Sequence, residues 1–407
     1  MKLNLIAALR SKVWRRLSVG IAILLLTILL VPPVRAVGEP VQAIILFIGD
    51  GMGEVHRRTA RWSAVGQSGA LAMDLMPVVG WSRTASASSA VTDSAAGGTA
   101  IATGVKTNNG VVGMDPDLNP VTSILETAQA RGMAVGLVTT TQMAHATPAS
   151  FAAHVDSRSK MTEIADQMLA AGVDVLLGGG EDEFLPSDED GCYSESGERD
   201  DGRNLITEAQ AAGYTYVCNA SQFAAIDPAT TPRLLGLFAD EGIDADAATS
   251  PTLAEMTQTA IDILSQDSDG FFLMVEGGQI DWAAHAADAD NVISNTIAFD
   301  QAVAVGQSYA AVATNTLVIV TADHETGGMS ADFTADAGDD GPFLMPDDST
   351  AFYVNWTTGG HTGVDVPVTA QGPWSHLLNG TFENTQLHHV MAIALDPHQL
   401  WLPIIQK

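Results

Sequence analysis

The stretch Gln42-Ala43-Ile44-Ile45-Leu46-Phe47-Ile48-Gly49-Asp50-Gly51-Met52-Gly53 decides the fold. An apolar run rich in isoleucine reads as a strand buried on both faces, not one with a wet side. The glycines that follow let the backbone turn tightly around Asp50, a carboxylate at the strand's end. Comparable runs recur at Ala134–Thr139, Val173–Leu177, Phe271–Val275 and Leu317–Thr321. Between them the Ala-rich amphipathic stretches Pro120–Arg131, Ser159–Ala171, Pro251–Ser265 and Val292–Ala313 read as helices. This alternation predicts an α/β class: a doubly wound, mostly parallel central sheet with helices on both faces. Ligands of such sheets bind outside the carboxyl ends of the strands, so the residues after each strand are the first candidates for chemistry.

Outward from that core, no internal repeat and no Ser/Gly/Pro linker divides the chain, and residues 37–407 are expected to form one catalytic domain. Residues 1–36 differ in kind. They hold Lys2, Arg10, Lys12, Arg15, Arg16 and Arg35, no acid, and an apolar run from Leu17 to Val31. That is the layout of a secretory signal, with Val34-Arg35-Ala36 as its cleavage pattern. The apolar core is short for a membrane anchor, and the residues after Arg15-Arg16 suit general secretion better than twin-arginine export. The expected location is therefore periplasmic or extracellular.

The whole chain has 407 residues, 48 Asp plus Glu against 18 Lys plus Arg, and a formal net charge of −30. Loss of the leader's six bases deepens this to −36. Such a surface excludes nucleic acid as a stable partner, because phosphate backbones demand a basic face. Cys192 and Cys218, the two cysteines, can pair in an oxidising compartment and would staple an insert. Glu181–Asp201 and Ala331–Asp348 read as acidic insertions, solvated at the surface and without the spacing of a calcium loop.

Chemistry-bearing residues cluster after the strands. Glu276 ends one, and Asp281 and His285 follow four apart, so on a helix they share a face and can hold one cation. Asp323-His324 ends another, and Gly359-Gly360-His361-Thr362-Gly363 sets a histidine between glycines. With Asp50 these make the mixed oxygen and nitrogen set that zinc and magnesium share. Ser94, within Thr92-Asp93-Ser94-Ala95-Ala96-Gly97-Gly98, is the candidate nucleophile at a helix start that favours an anion. A serine hydroxyl is a poor nucleophile without a base or a metal.

Asp50-Gly51-Met52, Thr92-Asp93-Ser94-Ala95-Ala96, His145-Ala146-Thr147-Pro148, Glu276 with Asp281 and His285, Asp323-His324, and His361-Thr362-Gly363 occur in the order seen in alkaline phosphatases. From about Ala43 to about Gly363 the chain resembles a secreted bacterial member of that family. The resemblance implies two zinc ions, one held by Asp281, His285 and His361 and one by Asp50, Asp323 and His324, with Ser94 on the second. It implies a magnesium site shared by Asp50, Thr147 and Glu276, with His145 beside it, and Arg158 as a phosphate clamp. It also implies a homodimer and hydrolysis of small phosphate monoesters through a covalent phosphoserine on Ser94. Asp93 adjoins the nucleophile without an assigned role. Trp282 departs from the pattern: enteric bacterial members carry Lys there and animal members His, so a cationic phosphate contact is missing.

Three other readings compete. A phosphodiesterase of the same superfamily would share much of the metal cage. A sulfatase would need a C/S-x-P-x-R segment, which Ser94-Ala95-Ala96-Gly97-Gly98 does not match. A secreted acidic calcium-binding module would leave Ser94, Arg158 and the placed histidines without a purpose. His376, His388, His389 and His398 are read as surface or packing residues, and His56 and His154 are left unassigned.

Overall fold

In chain order the first eight strands are β1 (Ala43–Gly49), β2 (Val78–Arg83), β3 (Ala134–Gln142), β4 (Val175–Gly179), β5 (Thr215–Val217), β6 (Leu234–Leu237), β7 (Phe271–Gly277) and β8 (Thr316–Thr321). Short strands follow, β9 (Glu325–Thr326), β10 (Ser330–Asp332), β11 (Asp340–Leu344), β12 (Ala351–Asn355) and β13 (His361–Thr362), and then β14 (Val366–Gln371) and β15 (Gly380–Glu383). This computed structural model describes residues 39–243 and 249–397. The expected leader, its cleavage point after Ala36, and His398 lie outside the described residues. From Pro40 onward the described residues form one compact unit. No described helix is long and apolar enough to cross a membrane.

Ten strands make the central sheet in the order β15-β2-β14-β8-β1-β7-β3-β4-β6-β5, and β14 alone among them runs antiparallel to its neighbours. β1 sits between β7 and β8 and is buried along its whole length, as its unbroken apolar run requires. Its side chains alternate between two cores. Ile44, Leu46 and Ile48 face the layer that contains Ile101, Val390 and Met391, whereas Ala43, Ile45 and Phe47 face Ile261, Phe299 and Val303. Helices therefore cover both faces, as expected.

The five strands read from sequence are all present, within a few residues of their expected ends. β2, β5, β6, β14 and β15 escaped that reading for a physical reason. β2 alternates buried and exposed positions, and its inward residues include Gly80 and Ser82, which carry little apolar signal. β5 and β6 are only three and four residues long. The segment Ala331–Asp348 is not a plain insertion either, since β11 pairs with β12 and β12 with β10 in a small antiparallel sheet.

A further expectation is corrected at Glu181–Asp201. Cys192 and Cys218 are bonded there, but the start of the run is not solvated surface: Glu181, Asp182 and Glu183 are buried. Glu181 accepts from the backbone N–H groups of Cys192 and Tyr193 and from the Tyr216 hydroxyl, so this carboxylate organises the loop that the disulfide closes. Burial, with Asp182 beside it, pushes the Glu183 carboxyl up to about 10.

Candidate active site

The register of the sheet assembles the site. Ile48 of β1 lies opposite Glu276 of β7 and Thr321 of β8, so the residues leaving these three strands emerge side by side. Asp50 leaves β1, Glu276 is the penultimate residue of β7, and Asp323-His324 follows β8. Helix Gln279–His285 begins two residues after β7 and carries Asp281 and His285 on one face. β13 pairs with β9, which brings His361 opposite Thr326 and to the same edge.

Helix Ser94–Thr103 lies across this edge. Asp93 is its N-cap and accepts from the Ala96 N–H, leaving Ser94 as the first residue of the helix. The small residues after Ser94 are a packing requirement. A side chain on Gly97 would stand 3.1 Å from Asp323 Cβ, so glycine lets the helix approach Asp323 this closely without pushing it aside. Ser94 Oγ thereby comes within 3.2 Å of His324 Nε2.

Three groups of potential ligands converge with their donor atoms within 4.8 Å of one another: Asp281, His285 and His361; Asp50, Asp323 and His324; and Asp50, Glu276 and His145. Hydrogen bonding decides which histidine nitrogens are available. His285 Nδ1 meets the Gly359 carbonyl at 2.8 Å and His361 Nδ1 meets the Thr92 carbonyl at 2.9 Å. A carbonyl only accepts, so both Nδ1 atoms carry the proton, and in the neutral rings both Nε2 atoms bear lone pairs. Those two Nε2 atoms face each other at 3.0 Å, an arrangement that a shared cation relieves.

The spacing fits such an ion. A tetrahedral zinc with ligands at about 2.0–2.1 Å sets neighbouring ligand atoms about 3.3–3.4 Å apart. His285 Nε2 is 3.4 Å and His361 Nε2 3.6 Å from the Asp281 carboxylate. His324 Nε2 is 3.4 Å from Asp50 Oδ1, 3.3 Å from Asp323 Oδ2 and 3.2 Å from Ser94 Oγ.

Charge makes the same demand. Asp50, Glu276, Asp323 and His324 are all 0% exposed. Both Asp50 oxygens, Asp323 Oδ2 and Glu276 Oε1 lack any hydrogen-bond donor. Buried carboxylates left this way are costly unless a cation neutralises them. Burial, then the charges of Asp323, Asp281 and Glu276, holds the Asp50 carboxyl well above its ordinary range. Burial also raises Glu276, to about 7, against hydrogen bonds led by Thr139. His324 falls to about 3, from burial and then His361, so it is held neutral, as a ligand must be. The residues present thus fit two ions at Asp281/His285/His361 and Asp50/Asp323/His324. A third oxygen-rich position lies at Asp50 and Glu276, with Thr147 fully buried nearby.

His145 stands beside that third position. Its Nε2 lies 2.8 Å from Arg158 Nη2, which can only donate, so the neutral ring keeps its proton on Nδ1 and Nε2 serves the arginine. Arg158 Nη1 meets Asp93 Oδ2 at 3.2 Å, and that oxygen also accepts from the Gly110 N–H. Asp93 therefore has two tasks, capping the helix that begins at Ser94 with one oxygen and holding the arginine with the other. Trp282 packs edge-on against His145, with ring centroids 6.0 Å apart, where a cationic side chain had been the expected pattern.

Sequence reasoning missed three hydroxyls. Thr139 donates to Glu276 Oε2 at 2.5 Å, with Thr141 3.3 Å from the same oxygen, and Thr326 donates to Asp281 Oδ1 at 2.5 Å. The run Thr139-Thr140-Thr141 at a strand end was the available signal for two of them; nothing local marked Thr326. Of the unassigned histidines, His154 bonds Glu126 and the Gly113 carbonyl in a packing role. His56 is buried behind the Asp50 loop, accepting from the Gly53 N–H.

The alkaline phosphatase family model matches residues 41–349 and 344–396, which carries the likeness past Gly363 into the helix that holds His388 and His389. The chain is 36% identical to streptomycin-6-phosphate phosphatase of Streptomyces griseus, over 94% of this chain and 97% of that one. It is 34% identical to alkaline phosphatase of Escherichia coli K12, over 88% and 86% respectively. Among solved structures, alkaline phosphatase from the Antarctic bacterium TAB5 superposes with a TM-score of 0.76 at 32% identity, covering 88% of this chain and 99% of that one. A histidine-to-glutamate variant of the TAB5 enzyme holds magnesium in its M3 site.

Proposed function

Because the chain belongs to the alkaline phosphatase family and hydrolyses phosphate monoesters with metal cofactors, we propose that Ser94 carries that reaction through a covalent phosphoserine. The observation that supports this most is the position of Ser94 Oγ, at the head of a ten-residue helix and 3.2 Å from His324 Nε2. We assign zinc to the Asp281/His285/His361 and Asp50/Asp323/His324 groups, and magnesium to Asp50, Glu276 and Thr147. When bound, such ions stabilise the attacking and leaving oxygens of an in-line displacement and raise the nucleophilicity of a hydroxyl they hold.

The chain's own residues do the rest. Ser94 Oγ forms a bond to phosphorus as the ester P–O bond breaks and the alcohol departs. Water then breaks the Ser94 Oγ–P bond, releasing inorganic phosphate and restoring the hydroxyl. The helix N-terminus presents backbone N–H groups and the positive end of its dipole to the phosphoryl oxygens. Arg158, oriented by Asp93 and His145, donates to the non-bridging oxygens with a planar fork. The acidity of the chain does not oppose this, since surface charges beyond a Debye length of roughly 8–10 Å are screened while the ions act at the site.

We further propose an exported homodimer; the Cys192–Cys218 bond supports the oxidising compartment. The test of the catalytic reading is turnover of p-nitrophenyl phosphate and its bis ester after chelation, after return of zinc and magnesium, and in Ser94→Ala. We expect the monoester to be preferred, chelation to abolish turnover reversibly, and Ser94→Ala to be nearly inactive. Activity that survives both chelator and substitution would sink the assignment.

A further inference from the structure

We infer that Thr326 is a positioning residue that ties the two metal sites together through its one hydroxyl. Thr326 Oγ1 lies 2.5 Å from Asp281 Oδ1, in one ligand group, and 3.2 Å from His324 Nδ1, in the other. A carboxylate accepts only, so the hydroxyl's single proton goes to Asp281. Its lone pair then accepts from His324 Nδ1–H. That fixes the His324 tautomer with the Nε2 lone pair toward Asp50, Asp323 and Ser94 Oγ. His285 and His361 have their Nδ1 protons set by backbone carbonyls, whereas His324 depends on this side chain.

The backbone of Thr326 is held as firmly as its hydroxyl. Its N–H donates to the Gly51 carbonyl at 3.0 Å, next to Asp50, and the residue pairs with His361 across β9 and β13. Gly51 adopts φ +70°, and a side chain there would stand 2.8 Å from both Asp281 Oδ1 and Thr326 Oγ1. The loop glycine is thus what leaves room for the Asp281–Thr326 pair. One residue joins the segments carrying Asp50, Asp281, His324 and His361, so loosening it disturbs both groups at once.

This inference rests on the two-site reading, and the experiment separates the two. Metal content and chelator competition are measured on purified holoenzyme of wild type, Asp281→Ala, Asp323→Ala, Thr326→Val and Thr326→Ser. If the two-site reading holds, each aspartate variant loses one zinc; if neither does, that reading fails whatever Thr326 does. Loss of a partner that orients a ligand typically weakens metal affinity about 10- to 100-fold. Thr326→Val should therefore release both ions at about 10- to 100-fold lower chelator concentration, and Thr326→Ser should restore retention. Retention of both ions at the wild-type level in Thr326→Val, or weakening confined to one site, would overturn the inference. Nitrogen-15 spectra of the histidines in wild-type holoenzyme give a check independent of any variant. The expected state of His324 is protonated at Nδ1, and a proton found on Nε2 refutes the coupling even if Thr326→Val fails to fold.

Discussion

Replacing Arg158 with lysine keeps the charge and removes the fork. In the structure the guanidinium is held at both ends, Nη1 by Asp93 at 3.2 Å and Nη2 by His145 at 2.8 Å, which leaves its remaining N–H groups to meet phosphate in a fixed plane. Lysine donates from one nitrogen on a flexible stem and cannot satisfy Asp93, His145 and a phosphoryl oxygen in that plane together. The loss is about one charge-assisted hydrogen bond, roughly 1.5–3 kcal/mol, or about 10- to 150-fold in affinity for the phosphoryl group. Arg158 is part-exposed at the mouth, so little change in thermal stability is expected. The assay is kcat/KM for p-nitrophenyl phosphate together with the inhibition constant of inorganic phosphate. Both should move by that factor while turnover persists. Complete inactivity would show that Arg158 does more than clamp, and an unchanged inhibition constant would show that it does not clamp phosphate.

Two further outcomes follow from the same geometry. Trp282→Lys places a cation beside His145 and should tighten inhibition by inorganic phosphate; inhibition equal to that of wild type would mean that the tryptophan does not weaken phosphate binding. Cys192 and Cys218 are 26 positions apart, and closing a loop of that length restricts the unfolded chain by about 3.5 kcal/mol in the chain-entropy account. The double Cys→Ala variant should therefore unfold at clearly lower urea, and a midpoint equal to that of the intact protein would show that the bridge confers no stability.

The short apolar runs at Ala43–Ile48 and Phe271–Val275, alternating with amphipathic helical stretches, declared strands of a parallel sheet buried on both faces. Once those strands were placed, the residues at their carboxyl ends identified themselves: Asp50, Glu276, Asp281, His285, Asp323 and His324 are each within ten positions of a strand end, and ordered motifs did the rest. Residue type and short-range spacing were enough for that much. What remained hidden depends on partners far along the chain. The proton on His361 Nδ1 is set by a carbonyl 269 positions away, and the Glu276 carboxylate is held by a threonine 137 positions away. Thr326 looks like any residue after Asp-His-Glu until the fold sets it between Asp281 and His324. Glu181, Asp182 and Glu183 read as solvated acids because composition reports charge and not burial. Sequence by itself therefore determined the fold class and the candidate ligands, from local periodicity and residue chemistry, while the reaction came from the resemblance of its ordered motifs to alkaline phosphatases. Which nitrogen of each histidine is free, which carboxylates lack donors, and which hydroxyl joins the two sites were decided only by tertiary packing, because hydrogen-bond direction and desolvation belong to contacts that the linear chain does not contain.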